Sequence, residues 1–246
     1  MKKYLFVALL ATIGLGGCSK SDSPSMQINQ KEVKLKFDGS FDFKIDNASS
    51  VEWSSSDEFV GKVGSDGKFK AAHIGEATVT GKVSGNTVSA KVIVEPYVTD
   101  IVEPTVEFGA SKATVKSFEK RSLFFENSDG IIYTGQGNKE KQVFYVFGNS
   151  KLSSSSLIFN TNFTDIGSIL AKFYGERHQV LGTDSGTIFF QSKDKKTIIG
   201  ISVGSSLGLN ATYIPESSSA KAAIKKQNGG NVNSSVINNM SKILNK

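Results

Sequence analysis

From Val33 onward the chain alternates apolar and polar residues in short runs, each closed by a turn-forming residue. Val33, Leu35 and Phe37 point one way, Asp38-Gly39 turns the chain, and Phe41, Phe43 and Ile45 resume the pattern. A period of two puts successive side chains on opposite faces of a strand, so this part of the chain folds as β-structure with one buried face. A core is affordable, because 38% of the 246 residues are hydrophobic and 10% aromatic, well above what a wholly disordered chain carries. The length fits one or two domains. Counting excludes more: one Cys rules out a disulfide-stapled mini-protein or a Cys-rich zinc module, and His73 and His178 alone cannot make a three-histidine metal site.

The alternation continues through Val51-Glu52-Trp53, Val60 and Val63, a second turn at Ser65-Asp66-Gly67, and Phe69 and Ala71. Two longer strands follow, through Ala77, Val79 and Val83 and through Val88, Ala90, Val92 and Val94, before Pro96 ends the unit. Asp-Gly between alternating runs is a hairpin signal, and short strands with frequent turns predict a β-sandwich over 27–96. The residues Val51-Glu52-Trp53-Ser54-Ser55-Ser56-Asp57, Val60 and Val63, Gly67-Lys68-Phe69-Lys70-Ala71 and Ile74-Gly75-Glu76-Ala77-Thr78-Val79-Thr80 resemble the bacterial Ig-like group 2 (BIG2-type) domain. The resemblance implies an Ig-like sandwich of a kind found in bacterial surface adhesins, often as a spacer, and beside carbohydrate-active enzymes. It implies a fold more firmly than an activity. Trp53, the one indole on which a sugar would stack, is expected in the core between the sheets. Asp57 and Glu58 are adjacent and point apart, so they read as turn residues rather than as a catalytic pair.

Beyond a connection marked by Pro96 and Pro104, residues 97–215 read as an α+β domain: an antiparallel sheet with two helices. Thr114, Val115 and Phe118 fall at helical spacing behind Ser111 as N-cap, and Ile166, Ile169, Leu170 and Phe173 behind Thr164-Asp165. Strands are expected after each helix, with Val143–Phe147 central. The halves run in parallel 55 residues apart, pairing Val115 with Leu170, Phe118 with Phe173, Val143 with Ile198 and Leu152 with Leu207, which suggests a tandem α-β-β-β repeat. This half is similar to domains of Bacteroidetes-type lipoproteins at Phe108-Gly109-Ala110-Ser111, Val115-Lys116 and Phe118, a likeness that brings no activity. Gly135-Gln136-Gly137-Asn138-Lys139 precedes a strand and lacks Gly-Lys-Ser/Thr, so it reads as a hairpin turn rather than a phosphate loop. His178, after Glu176-Arg177, reads as a half-exposed helix-end residue, with no spacing that recruits Ser185 or Asp184; His73 reads as a loop residue. Residues 216–246, rich in Ser, Lys, Gly and Asn, read as a mostly disordered polar tail, with Ile237, Met240 and Ile243/Leu244 at helical spacing.

The N-terminus points to a compartment. Lys2 and Lys3 precede an apolar run from Tyr4 to Leu15, too short to span a bilayer but suited to a secretory signal. Leu15-Gly16-Gly17-Cys18 resembles the lipobox of bacterial lipoproteins, which implies cleavage of 1–17, lipidation of Cys18 and a bilayer anchor; several acyl chains hold far more firmly than one. The Ser-rich stretch 18–26 reads as a flexible tether. With no Asp directly after Cys18, the resemblance favours the outer membrane, on an undecided face. Net charge is +6, falling to +4 once Lys2 and Lys3 leave with the signal. Its lysines are scattered and only Arg121 and Arg177 are arginines, which argues against nucleic acid as a partner. The expectation is a multi-domain, lipid-anchored cell-envelope protein, not an enzyme, with no metal and no cofactor. Its α+β module would bind an envelope protein or surface polymer. The rival readings are an accessory or carbohydrate-active enzyme of the envelope and a purely structural spacer or assembly factor.

Overall fold

The computed structural model describes residues 26–228 and 234–245. Cys18, Leu15, Gly16 and Gly17, with the signal and nearly all of the tether, lie outside the described residues. What is described is a β-rich, multi-domain protein with several sheets and a few helices.

Seven strands make the first domain: β1 (Glu32–Lys36), β2 (Ser40–Asp42), β3 (Glu52–Ser55), β4 (Gly61–Val63), β5 (Lys68–Ala71), β6 (Gly75–Val83) and β7 (Asn86–Glu95). They form a four-stranded sheet, β1-β7-β6-β3, and a three-stranded sheet, β2-β5-β4, over one core of Val33, Phe43, Val60, Phe69, Val79 and Val92. Each large apolar side chain buried there contributes roughly 1.5–3 kcal/mol. The hairpin expected at Ser65-Asp66-Gly67 forms between β4 and β5, with Gly67 at φ 81° and the Asp66 carboxylate accepting from the Lys68 N–H at 3.0 Å. The hairpin expected at Asp38-Gly39 does not. β1 pairs in parallel with β7 and β2 pairs with β5, so this turn carries the chain from one sheet to the other. Turn chemistry sets a local reversal, whereas the pairing partner depends on which edge is free.

The second domain is built on one eight-stranded antiparallel sheet. A helix α1 (Lys112–Phe118) leads into β8 (Leu123–Glu126), β9 (Gly130–Thr134), β10 (Glu140–Gly148) and β11 (Lys151–Phe159). A second helix α2 (Ile166–Gly175) leads into β12 (Gln179–Asp184), β13 (Thr187–Gln191), β14 (Thr197–Gly204) and β15 (Gly208–Pro215). The strand order β12-β13-β14-β15-β11-β10-β9-β8 reads the same from either edge, with Ser156 opposite Thr212 at the junction of the halves. Both outer strands carry a bulge at matching places, between Leu123 and Phe125 in β8 and between Val180 and Gly182 in β12. Each half has four strands, one more than an α-β-β-β unit names. The spacing of 55 also drifts: Ile131 corresponds to Ile188, 57 positions on, and Val143 to Ile199, 56 positions on. Pairing Val143 with Ile198 is off by one, which in a strand means the opposite face. Ile199 belongs to the main core with Val143, whereas Ile198 lies on the other side of the sheet. Strand β10 is interior, but β11 and β15 hold the centre.

The end of the chain departs most from expectation. Instead of a disordered tail, helices α3 (Ala220–Gln227) and α4 (Ser235–Leu244) pack onto the second half. Ile237 and Met240 of α4 bury against α2 in the main core, with the backbone of Val236 in close contact with Gly167. On the opposite face Ile224 of α3 buries with Phe189, Ile198 and Ile214, pressed onto Gly200. Short helices are marginal alone and gain their stability from an apolar stripe laid on a sheet.

Candidate functional site

Among the described residues the first half has no counterpart of α3 or α4, and apolar side chains face solvent along its outer edge. Ser111 caps α1 as expected, its hydroxyl accepting from the Thr114 N–H at 3.2 Å, but only Val115 of this helix is buried. Phe118, at helical spacing from Val115, is 57% exposed; Leu123, Phe124 and Phe125 of β8 follow at 51%, 66% and 48%. Residues paired across strands share a face, so Leu123 lies with Tyr133 on the α2 side and Phe125 with Ile132 on the other. Phe124, the bulged residue, stands between them. Beside Phe125 a shallow groove runs over Ile132, Phe144 and Val146. The corresponding strip in the second half carries Phe189 and Gly200 under α3.

Behind this edge lies a buried charge cluster. Arg121 donates through Nη1 to both oxygens of Glu119 at 3.0 Å, and through Nε and Nη2 to Glu140 at 3.1 Å. Its Nη2 also reaches the Val102 carbonyl, while Glu140 accepts from the backbone N–H of Val102 and of Gln136. Burial pushes the Glu119 carboxyl up, but hydrogen bonds from Tyr145 and from the Arg121 and Lys120 backbone, with the guanidinium charge, hold it below the usual range. The same burial and the same Glu119 contact push the Tyr145 phenol far above its ordinary value. Glu176 and Arg177 repeat the device after α2: the Tyr97 N–H donates to Glu176 at 2.8 Å, and Arg177 binds the Val98 carbonyl while stacking on Phe173. Both clusters pin the connecting segment 97–107, and their charges are met by one another and by backbone groups.

His178 is more buried than expected. Its Nε2 donates to Glu103 at 2.8 Å, leaving Nδ1 buried without a partner among the described residues. Burial pushes Glu103 up, yet His178, Tyr213 and Arg177 bring it below its ordinary value. Tyr213 in turn shares a 2.6 Å hydrogen bond with Tyr174. Asp184 ends β12, about 20 Å of extended chain away, with Ser185 in the turn beyond it, and Asp184 pairs with Lys225 of α3. The Glu103–His178 pair has no nucleophile aligned with it in these contacts.

A second concavity lies where the domains meet. The Ile74 N–H donates to the Glu176 carbonyl at 2.7 Å, and Lys193 pairs with Asp57. Asp57 also caps its own turn, accepting from the Phe59 N–H at 3.1 Å, while Glu58 makes only an exposed pair with Lys62. His73 lies in the β5–β6 loop, as expected, and is buried there: its Nδ1 donates to the Phe59 carbonyl at 2.7 Å and its ring stacks on Phe59 at 3.8 Å. Beside it a cavity of about 450 Å³ opens between α2, α4 and Tyr97. Trp53 is half-buried at the margin of the first core, 6.3 Å from Phe43, on a shallow groove of its own. Gly135–Lys139 forms the β9–β10 turn, as its residues indicated. Among the described residues no group of His, Cys, Asp and Glu could hold a metal ion, and no helix is long and apolar enough to cross a membrane. Of the residues singled out by sequence, the structure brings His73 and His178 near the domain junction. The exposed edge was missed, although Leu123-Phe124-Phe125 stood in the sequence as three consecutive apolar residues where alternation was due. No protein-family model matches the chain, and no curated protein matches it.

Proposed function

We propose that this chain is a lipid-anchored protein of the bacterial cell envelope, held through Cys18. Its first domain is a spacer of the Ig-like group 2 kind, and its second domain is a non-catalytic module that binds another envelope protein. The observation that supports the binding role is the apolar edge formed by Phe118, Leu123, Phe124 and Phe125. The first domain touches the second near α2 and β13, so β8, six strand spacings on, lies ~29 Å across the sheet from that contact at ~4.8 Å per strand. Exposed apolar groups in one place mark interaction surfaces. The bulge at Phe124 disfavours strand addition, so a partner takes the side chains rather than the backbone edge.

The test has two arms. Cys18→Ser is expected to move the protein from the membrane to the soluble fraction, and continued pelleting would remove the anchor. Pull-down from envelope extracts with the chain from Ser19 onward is expected to recover a partner that Phe124→Ser/Phe125→Ser loses, with the variant's melting temperature unchanged. Equal recovery by both chains would remove the edge as the binding surface.

A further inference from the structure

The cavity at the domain junction goes beyond this reading and stands on separate observations. Its walls come from both domains and from the last helix: Phe37 and Ala72 from the first, Ala171 and Gly175 from α2, Val180 from β12 and Leu244 from α4. Small residues shape it: Ala72 and Ala171 carry no more than a methyl, and Gly175, where an added methyl would lie 2.9 Å from the Leu244 side chain, lets α4 close against α2 as one wall. About 450 Å³ is within the range of small-molecule sites, which are mostly apolar with a few placed polar groups.

The polar groups are few. The Lys172 ammonium stands 4.8 Å from the centre of the Tyr97 ring and makes no ion pair among the described residues. Tyr97 is fixed by donating its phenol O–H to Asp38 at 2.8 Å, so the ring is a firm wall. Lys36 also lies over this ring at 5.9 Å, but its charge is met by Glu95 at 3.3 Å. Burial lowers the His73 pKa, so the imidazole lining the cavity is neutral near pH 7 and brings no second cation. Among the described residues Lys172 is therefore the positive charge against this apolar slot that no carboxylate answers, and the Asp38 carboxylate nearby disfavours a head group with two negative charges.

We propose that this cavity binds a small amphiphile, an aliphatic chain with a singly charged anionic head, the chain lying between α2, α4 and the first domain and the head on Lys172. Calorimetric titration of the chain from Ser19 onward, which keeps every described residue, uses decanoate, decyl phosphate and decyltrimethylammonium below their micelle concentrations. Decanoate is expected to bind once per chain, at least tenfold more tightly than decyltrimethylammonium, and more tightly than decyl phosphate at a pH where the latter is a dianion. Lys172→Glu is expected to weaken decanoate tenfold or more without weakening the cationic probe, and Ala72→Trp to abolish binding by filling the slot. Should Ala72→Trp fail to fold, the exposed Lys172→Glu change carries the test. Phe124→Ser/Phe125→Ser is expected to leave decanoate binding intact, so loss of the far edge and loss of this site are told apart. Absence of binding, equal affinity for both head-group signs, or binding that follows Phe124 and Phe125 would overturn the proposal.

Discussion

Arg121 shows how much one side chain holds in this molecule. It is almost fully buried and is shared by Glu119 and Glu140, which are themselves shielded from solvent. Ion pairs of this kind add little over a well-packed apolar replacement of the whole set, but removing one partner leaves uncompensated charge behind. Arg121→Met is therefore expected to cost ~3–5 kcal/mol in urea unfolding. Adding Glu140→Gln to it should recover part of that loss, because one of the two stranded carboxylates is then neutral. A double variant no more stable than the single would show that the guanidinium acts through its bond to the Val102 carbonyl instead.

Between elements, the contact of α3 with β14 is the tightest test of how the end of the chain is held. A methyl added at Gly200 would lie 2.6 Å from the Ile224 side chain. Gly200→Val is expected to lift α3 and cost ~1–3 kcal/mol as overpacking, measured by chemical denaturation, and Ile224→Ala in the same chain should relieve most of it. The apolar positions that make α3 a helix are sparse, with Ile224 set among lysines and alanines, so composition spoke for disorder and only the sheet beneath supplies the reason to fold. The same limit explains β1 and β2, whose turn was legible while their partners were not. Local chemistry did carry over where it was sufficient: Ser111 at the start of α1, Ser65-Asp66-Gly67 between β4 and β5, and the alternation of β6 and β7. The Glu103–His178 pair joins residues 75 apart in the chain and had no local signature.

At the scale of the whole molecule, the junction between domains carries a titratable group. Burial lowers the His73 pKa below 6.5, with His178 also opposing its charge, while the Phe59 carbonyl, the His178 backbone and Asp57 favour it. The folded state therefore prefers neutral His73, and the stability this gives is full above about pH 6.5 and lost as pH falls toward the folded value. Glu103 and Glu119 are also held low, so their contribution is lost only below about pH 4.5. The expected outcome is a melting temperature that declines in two steps on acidification; His73→Gln, which keeps a donor for Phe59, should flatten the upper step alone. A profile unchanged by His73→Gln would show that the junction does not sense this proton. The bulges in β8 and β12 bear on what happens when many copies share a small space. An eight-stranded sheet with two straight borders could zip to its neighbours and grow into a fibril, but each border here is kinked where a second chain would have to register. The exposed aromatic groups of β8 thus stand on a border whose kink opposes strand-to-strand growth.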